Sequence, residues 1–188
     1  MIMHHSVIIN WLIKTGALSA EDSELYEYAL ISTILLVSPL LLSVAISAIM
    51  GSPVNGLILV IPFMTIRKYS GGYHSKRLAS CIIESTILLT VMIYISKTMC
   101  INIYSYLILI IASIELCIAS PIKSDNKDIN NAEKRVYKKV VLIQVIIYIF
   151  IAVLLGLFHV KRGALCIICG VVLTSILQIP CIITKKKQ

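Results

Sequence analysis

Hydrophobic positions in this chain gather in long unbroken runs, with polar residues confined to the stretches between them. Six runs stand out, at about 30–50, 54–66, 82–95, 101–120, 140–158 and 164–183. A helix needs about 20 apolar residues to cross about 30 Å of hydrocarbon, and four of the runs approach or exceed that. Segments apolar on every face belong in lipid or in a protein core. The pattern predicts an all-α, polytopic membrane helical bundle of about six segments. The second run has 13 residues and contains Pro62, which makes it short enough to be tilted or re-entrant. Before the first run, Val7, Ile8, Ile9, Trp11, Leu12 and Ile13 are broken by Asn10 and Lys14. That piece is too short to span and predicts an amphipathic helix lying on the membrane, with Trp11 at headgroup level. Ser19 then caps an acidic helix start carrying Glu21, Asp22 and Glu24. Residues 1–28 are thus read as interfacial helices within one membrane domain, 1–188.

Composition sharpens this picture. Of 188 residues, 59% are apolar and mean hydropathy is +0.95, against about 45–50% apolar in soluble domains. No secretory signal with a small-residue cleavage site is visible. Net charge is +8, yet no basic helix with interleaved aromatics is present, so nucleic-acid binding is not expected. The charge instead sets topology and faces anionic lipid. Five of the six cysteines lie in or beside apolar runs. Cys166 and Cys169 form a CxxC inside one run, without a second pair or a nearby histidine, and are expected as small buried apolar residues. Neither a metal nor a cofactor is called for.

Positive charges fix the expected orientation. With six crossings and the Lys185–Lys187 tail inside, Lys14, the four basic residues of 67–81, the six of 121–139 and the tail are cytoplasmic. Fourteen positive charges then face inward, against three outward (Lys97, Lys161 and Arg162). If the second run is re-entrant, only Lys14 changes side. Glu84, Glu115, Gln144 and Gln178 all fall within about two turns, roughly 10 Å, of the same boundary. Polar groups at that depth tend to face a wet or protein-lined cavity, so a polar pocket open to the cytoplasm is expected. The proline-led stretch 121–139 carries Lys134, Arg135, Lys138 and Lys139 among its charges. It serves as a solvated, topology-setting loop or as a docking surface for an acidic peptide. Ser43, Ser47 and Gly51, at four-residue spacing, could form a helix-packing face.

The chemistry concentrates in 67–81, a basic, polar island that reads Arg-Lys-Tyr-Ser-Gly-Gly-Tyr-His-Ser-Lys-Arg-Leu-Ala-Ser-Cys. Thiol chemistry needs a thiolate and a base to generate it, and Cys81 and His74 are candidates for both. Seven residues along a straight helix are about 10.5 Å apart, whereas a base must reach to about 3 Å. The chain must therefore bend, or both groups must reach toward a bound substrate. Gly71 and Gly72 supply bending freedom just upstream. At the start of the third helix, Cys81 would gain thiolate character from the helix N-terminus and from nearby Arg67, Lys76 and Arg77. Glu84, three residues on, is a candidate to orient His74. Arg67 would stabilise an oxyanion, bind a carboxylate, or simply snorkel to the interface.

The string from Arg67 to His74, followed seven residues later by Cys81, resembles the signature of the accessory gene regulator protein B (AgrB) family. The likeness extends to the acidic N-terminal helix, the hydrophobic layout and the basic stretch before the last two runs. It departs at Tyr28-Ala29-Leu30-Ile31, where the family often carries Tyr-Gly-Leu followed by Glu or Gln. The resemblance implies a membrane cysteine endopeptidase of the bacterial cytoplasmic membrane, multi-pass, with its site toward the cytoplasm. Its substrate would be an AgrD-like quorum-sensing propeptide, cut through an acyl-enzyme thioester and closed to a thiolactone or lactone. By position, Cys81 is the nucleophile, His74 the base and Arg67 a supporting residue. A homodimer and contact with membrane lipids are implied as well. A small membrane transporter or exporter of peptides built on Glu84 and Glu115 is the competing expectation, although no internal repeat of segments supports it.

Overall fold

The computed structural model of the chain describes residues 11, 13–16, 19, 23–72, 78–122 and 130–185. Among them are six helices and no strand: α1 (Ser23–Ile49), α2 (Pro53–Ser70), α3 (Leu78–Thr98), α4 (Ile103–Ala119), α5 (Asn131–Leu157) and α6 (Lys161–Lys185). Every apolar run has become one helix. Several helix boundaries lie outside the hydrophobic runs, and those of α2 and α5 bear on the site. α2 has 18 residues rather than 13 and runs unbroken through Pro62, about 27 Å at 1.5 Å per residue. It starts on Pro53, which suits a first helical position because that N–H has no intrahelical partner. It ends only at Ser70, taking in the first four residues of the polar island. α5 begins at Asn131, so 131–139 are helical turns rather than loop. A capping pair explains the early start: Asn130 Oδ1 accepts from the Asn131 N–H at 2.7 Å, and Glu133 Oε2 accepts from the Asn130 N–H at 3.2 Å.

The chain forms two compact units, Met1–Ser38 and Pro39–Gln188. In the first, Thr15 donates from N–H and Oγ1 to the Trp11 carbonyl at 3.0 and 3.1 Å. A helical turn thus closes the N-terminal segment, and Trp11 is exposed. Of the expected amphipathic helix, residues 6–10, 12, 17 and 18 lie outside the described residues.

In the second unit, α6 is the central helix. Residues 163–171 are buried without a break, which leaves α6 packed on two sides. One side joins Leu59, Val60 and Phe63 of α2 and Leu89, Met92 and Ile93 of α3 to Cys166, Cys169 and Leu173. The other joins Leu109 and Leu116 of α4 and Val141, Val145 and Ala152 of α5 to Ile167, Ile168 and Val171. Cys166 and Cys169 are thus core residues, as expected. Ser43 and Ser47 are also buried, against Gly56 of α2. That small-residue face is filled within the chain, and Gly51 sits outside it, in the turn before α2.

Among the described residues, two helices are long and apolar enough to cross a membrane: α5, and Lys161–Ile183 of α6. Leu36–Ile49 and Ile103–Ala119 are shorter apolar helices. Only 17% of the apolar window of α5 is buried, against 56% for α6. The outer face of α5 therefore shows Ile143, Ile146, Ile147 and Phe150, a surface suited to lipid rather than water.

Contacts at the helix ends show how the elements alternate. Lys97 Nζ, at the end of α3, donates to the Met50 carbonyl before α2 at 2.7 Å. Tyr106 of α4 touches Gly156 near the end of α5. At the opposite end, Gln178 donates to both the Ser70 carbonyl and the Ser120 hydroxyl, and Tyr69 meets Tyr137 of α5 edge-on, with ring centres 5.7 Å apart. The C-terminal ends of α2, α4 and α6 and the start of α5 thus share one end.

Candidate active site

The polar island is divided between two helices. Arg67–Ser70 are the last turn of α2, and Cys81 is the fourth residue of α3. His74 lies outside the described residues. α2 stops where it does because Gly71 takes φ +74° and ψ −165°, a region open essentially to glycine alone. Its N–H still closes the turn on the Arg67 carbonyl at 3.1 Å. Gly72 follows at φ +150°. A side chain at Gly71 would also meet the Ile122 carbonyl, only 2.8 Å from where a Cβ would stand.

The end of α2 is then held from two directions. The Ser70 carbonyl accepts from the Ile122 N–H at 2.9 Å and from Gln178 Nε2 at 3.0 Å. The same Nε2 donates to Ser120 Oγ at 3.1 Å. Ser70, Ser120 and Gln178 are all buried. This cluster joins α2, the end of α4 and α6 directly beneath the Gly71-Gly72 turn. Gln178 stood out in the sequence by its depth, but its partners did not. They lie 58 and 108 positions away and follow no spacing rule. Ser70 and Ser120 carried no sequence signal.

Around this anchor the basic groups sit at the same end. The Arg67 guanidinium lies 5.3 Å from the centre of the Phe63 ring, a cation–π contact that steadies its stem. Lys134, Arg135, Lys138 and Lys139 are exposed on the first turns of α5. Tyr69 and Tyr137 tie those turns to the end of α2.

The four polar residues expected at one depth have different surroundings. Glu84 is exposed on α3. Glu115 lines a groove of about 690 Å³ between α4 and α6, with Ile111, Ile114, Ile118, Ile122, Cys181 and Ile182. Both of its carboxylate oxygens are buried without a hydrogen bond. The Ser175 hydroxyl faces that carboxylate without hydrogen-bond geometry. Gln144 Oε1 and Gln178 Oε1 are likewise buried and unpartnered. The structure thus gathers Arg67, Gly71, Gly72, Gln178 and the basic turns of α5 at one end. Glu115 lines an apolar groove whose wall includes Ile122.

A family profile described as accessory gene regulator B matches residues 6–179, nearly the whole chain. The chain belongs to the accessory gene regulator B family. Membership of AgrB points to the processing of a quorum-sensing propeptide and to a membrane location, and it agrees with the spanning helices. No curated relative and no solved structure matches the chain. In this AgrB protein Arg67–Ser70 close α2 and Cys81 falls in the first turn of α3, while 73–77 lie outside the described residues.

Proposed function

We propose that this protein is a membrane-embedded cysteine endopeptidase that removes the C-terminal part of an AgrD-like propeptide and closes the remainder into a ring. The family match over residues 6–179 is the observation that carries this assignment. The placement of Cys81 in the first turn of α3 supports it.

In the first step the Cys81 sulfur attacks the scissile carbonyl carbon while His74 takes the thiol proton. Collapse of the tetrahedral adduct breaks the C–N bond, and His74 returns the proton to the leaving amine. The peptide is left as a thioester on Cys81. A thiol within the peptide (or a hydroxyl, giving a lactone) then attacks that carbonyl and loses its proton to His74. The bond to Cys81 breaks, and the sulfur recovers the proton. Exchange of one thioester for another is nearly balanced, so ring closure needs water held away, as a membrane-boundary site allows.

Supporting roles follow from position. Arg67, steadied on Phe63, stabilises the oxyanion or a substrate carboxylate. Glu84 orients His74. Gly71 and Gly72 let backbone approach substrate. Lys134, Arg135, Lys138 and Lys139 hold the acidic C-terminal part of the propeptide. All six helices cross the bacterial cytoplasmic membrane, with the ends of α2, α4 and α6 at the cytoplasmic boundary. The propeptide's amphipathic leader lies on the inner leaflet, and the enzyme works as a homodimer.

Co-expression with a neighbouring short reading frame, one that encodes an amphipathic leader, a cysteine and an acidic tail, tests this by mass. Cys81→Ala and His74→Ala should abolish the ring product while the protein still inserts and captures propeptide. Ring product from Cys81→Ala would overturn the assignment. Glu115, whose carboxylate oxygens are buried without a hydrogen bond, is the observation favouring a peptide exporter instead. Peptide export that survives Cys81→Ala would support that alternative.

A further inference from the structure

The peptidase chemistry has no use for Glu115. Its two carboxylate oxygens are buried without a hydrogen bond, and among the described residues no basic side chain pairs with it. Ser175 offers a hydroxyl, not a charge. A carboxylate in that setting is costly unless a cation meets it. Leucine would carry no such cost, so the cation has to come from outside the chain. The surroundings say what kind of molecule brings it. The groove beside Glu115 has a volume of about 690 Å³, and its walls include Ile111, Ile114 and Ile118 of α4 and Cys181 and Ile182 of α6. The three isoleucines are exposed and recur at spacings of three and four along one face of α4. α6 is long and apolar enough to span a membrane, so the groove opens onto lipid. Glu115 stands four residues, about 6 Å, before Ala119, the last residue of α4. The carboxylate therefore lies within about a turn of the helix end, where lipid headgroups begin. A bare metal ion would find too few ligands, because among the described residues no group of three His, Cys, Asp or Glu is present.

We propose that this groove is a binding site for a phospholipid with a primary ammonium headgroup, an ethanolamine lipid. An acyl chain lies along the isoleucines, and the ammonium donates to the Glu115 carboxylate. This rests on α4 and α6 lying in the bilayer, as proposed above, and not on Cys81. Chemistry selects the headgroup. A primary ammonium brings three N–H donors to the two empty oxygens. A choline headgroup carries the same charge but no N–H, and an anionic glycerol headgroup is repelled. The site is thus opposite in sense to the basic turns of α5, which suit anionic lipid. Glu115 is itself only half-buried, so a change of rotamer brings its oxygens to the headgroup.

Lipid retention tests this. Full-length protein in a non-ionic detergent is mixed with dioleoyl phosphatidylethanolamine or dioleoyl phosphatidylcholine, and the lipid kept through gel filtration is measured by mass. The two lipids share their chains and net charge and differ at the nitrogen. The native protein should keep at least about fivefold more of the ethanolamine lipid, the effect of one charge-assisted contact away from bulk water. Glu115→Gln keeps the shape and removes the charge. It should bring the two lipids to within about twofold of each other, the range of a weak polar contact, with choline lipid kept at the native level. Equal retention of both lipids by the native protein overturns the proposal, and that comparison does not depend on any variant folding. A native preference that persists in a cooperatively unfolding Glu115→Gln protein overturns it too. If the lipids are kept equally but a lysine-bearing amphipathic peptide is captured through Glu115, the groove is a peptide site and the lipid assignment fails. Ring product from propeptide is a separate readout, so each of these failures leaves the peptidase assignment standing.

Discussion

Gly170 of α6 faces the Leu59 carbonyl of α2 with no side chain between them, and the Pro62 ring lies alongside. These two helices share the most extensive contact in the unit, and this approach sets their spacing. A methyl group at Gly170 would land on backbone, which cannot rotate aside. Gly170→Ala should therefore part the helices and cost about 1–3 kcal/mol, as other overpacked cores do. Thermal unfolding in detergent checks this; a native midpoint would mean that α2 can move away freely.

Tyr148 of α5 and Thr65 of α2 share a hydrogen bond of 2.7 Å between their hydroxyls. Thr65 Oγ1 also donates toward the Ile61 and Pro62 carbonyls, at 2.8 and 3.2 Å. Removing the phenol oxygen thus strands no partner. Tyr148→Phe should cost only about 0.6 kcal/mol, in line with polar contacts between membrane helices. A loss above about 2 kcal/mol would show that the tyrosine hydroxyl does more than pair with Thr65.

The contrast between these contacts and the sequence marks what was legible. Six runs of apolar residues became six helices because burial in lipid or core demands that pattern. Ser43 and Ser47 were readable as a packing face from spacing alone. The early start of α5 was also readable, in Asn130 and Glu133, but the charges after them suggested a loop. The extension of α2 to Ser70 was hidden because Arg67, Lys68 and Ser70 are polar, while the helix is stopped by Gly71 and not by polarity. The Ser70–Gln178 tie was out of reach. It joins residues more than a hundred positions apart, and a single glutamine in an apolar helix does not say which carbonyl it will meet. The motif around His74 and Cys81 was legible chiefly through family resemblance.

Glu115 offers a test of stability against charge. Its two oxygens are buried in an apolar groove, without a hydrogen bond. An uncompensated carboxylate in such a place opposes folding. Glu115→Gln should raise the unfolding midpoint by a few degrees, equivalent to about 1 kcal/mol. A lowered midpoint would mean that the carboxylate has a partner in the folded protein in its membrane.

The exposed basic turns of α5 should act by charge. With Lys134, Arg135, Lys138 and Lys139 all changed to Glu, propeptide processing should fall at least about tenfold at low ionic strength. Native and variant proteins should then converge as salt rises, because exposed charges are screened beyond about 8 Å at physiological ionic strength. Processing by the variant at the native rate in low salt would remove the docking role.

Gly71 and Gly51 make a matched pair for the last prediction. Both take positive φ, +74° and +82°. A Cβ at Gly51 meets nothing within 4 Å, and this residue lies in the exposed turn before α2. Gly51→Ala should therefore cost only the backbone strain, about 1 kcal/mol, and leave processing intact. At Gly71 the same methyl adds a collision with the Ile122 carbonyl, whose own N–H holds Ser70. The strain cannot be relieved without loosening that hydrogen bond, so it passes into the anchored turn that leads to Cys81. Gly71→Ala should therefore reduce processing at least about tenfold, while the unfolding midpoint falls no more than about twice as far as in Gly51→Ala. If both variants process propeptide at the native rate, the geometry of this turn is not what the chemistry depends on.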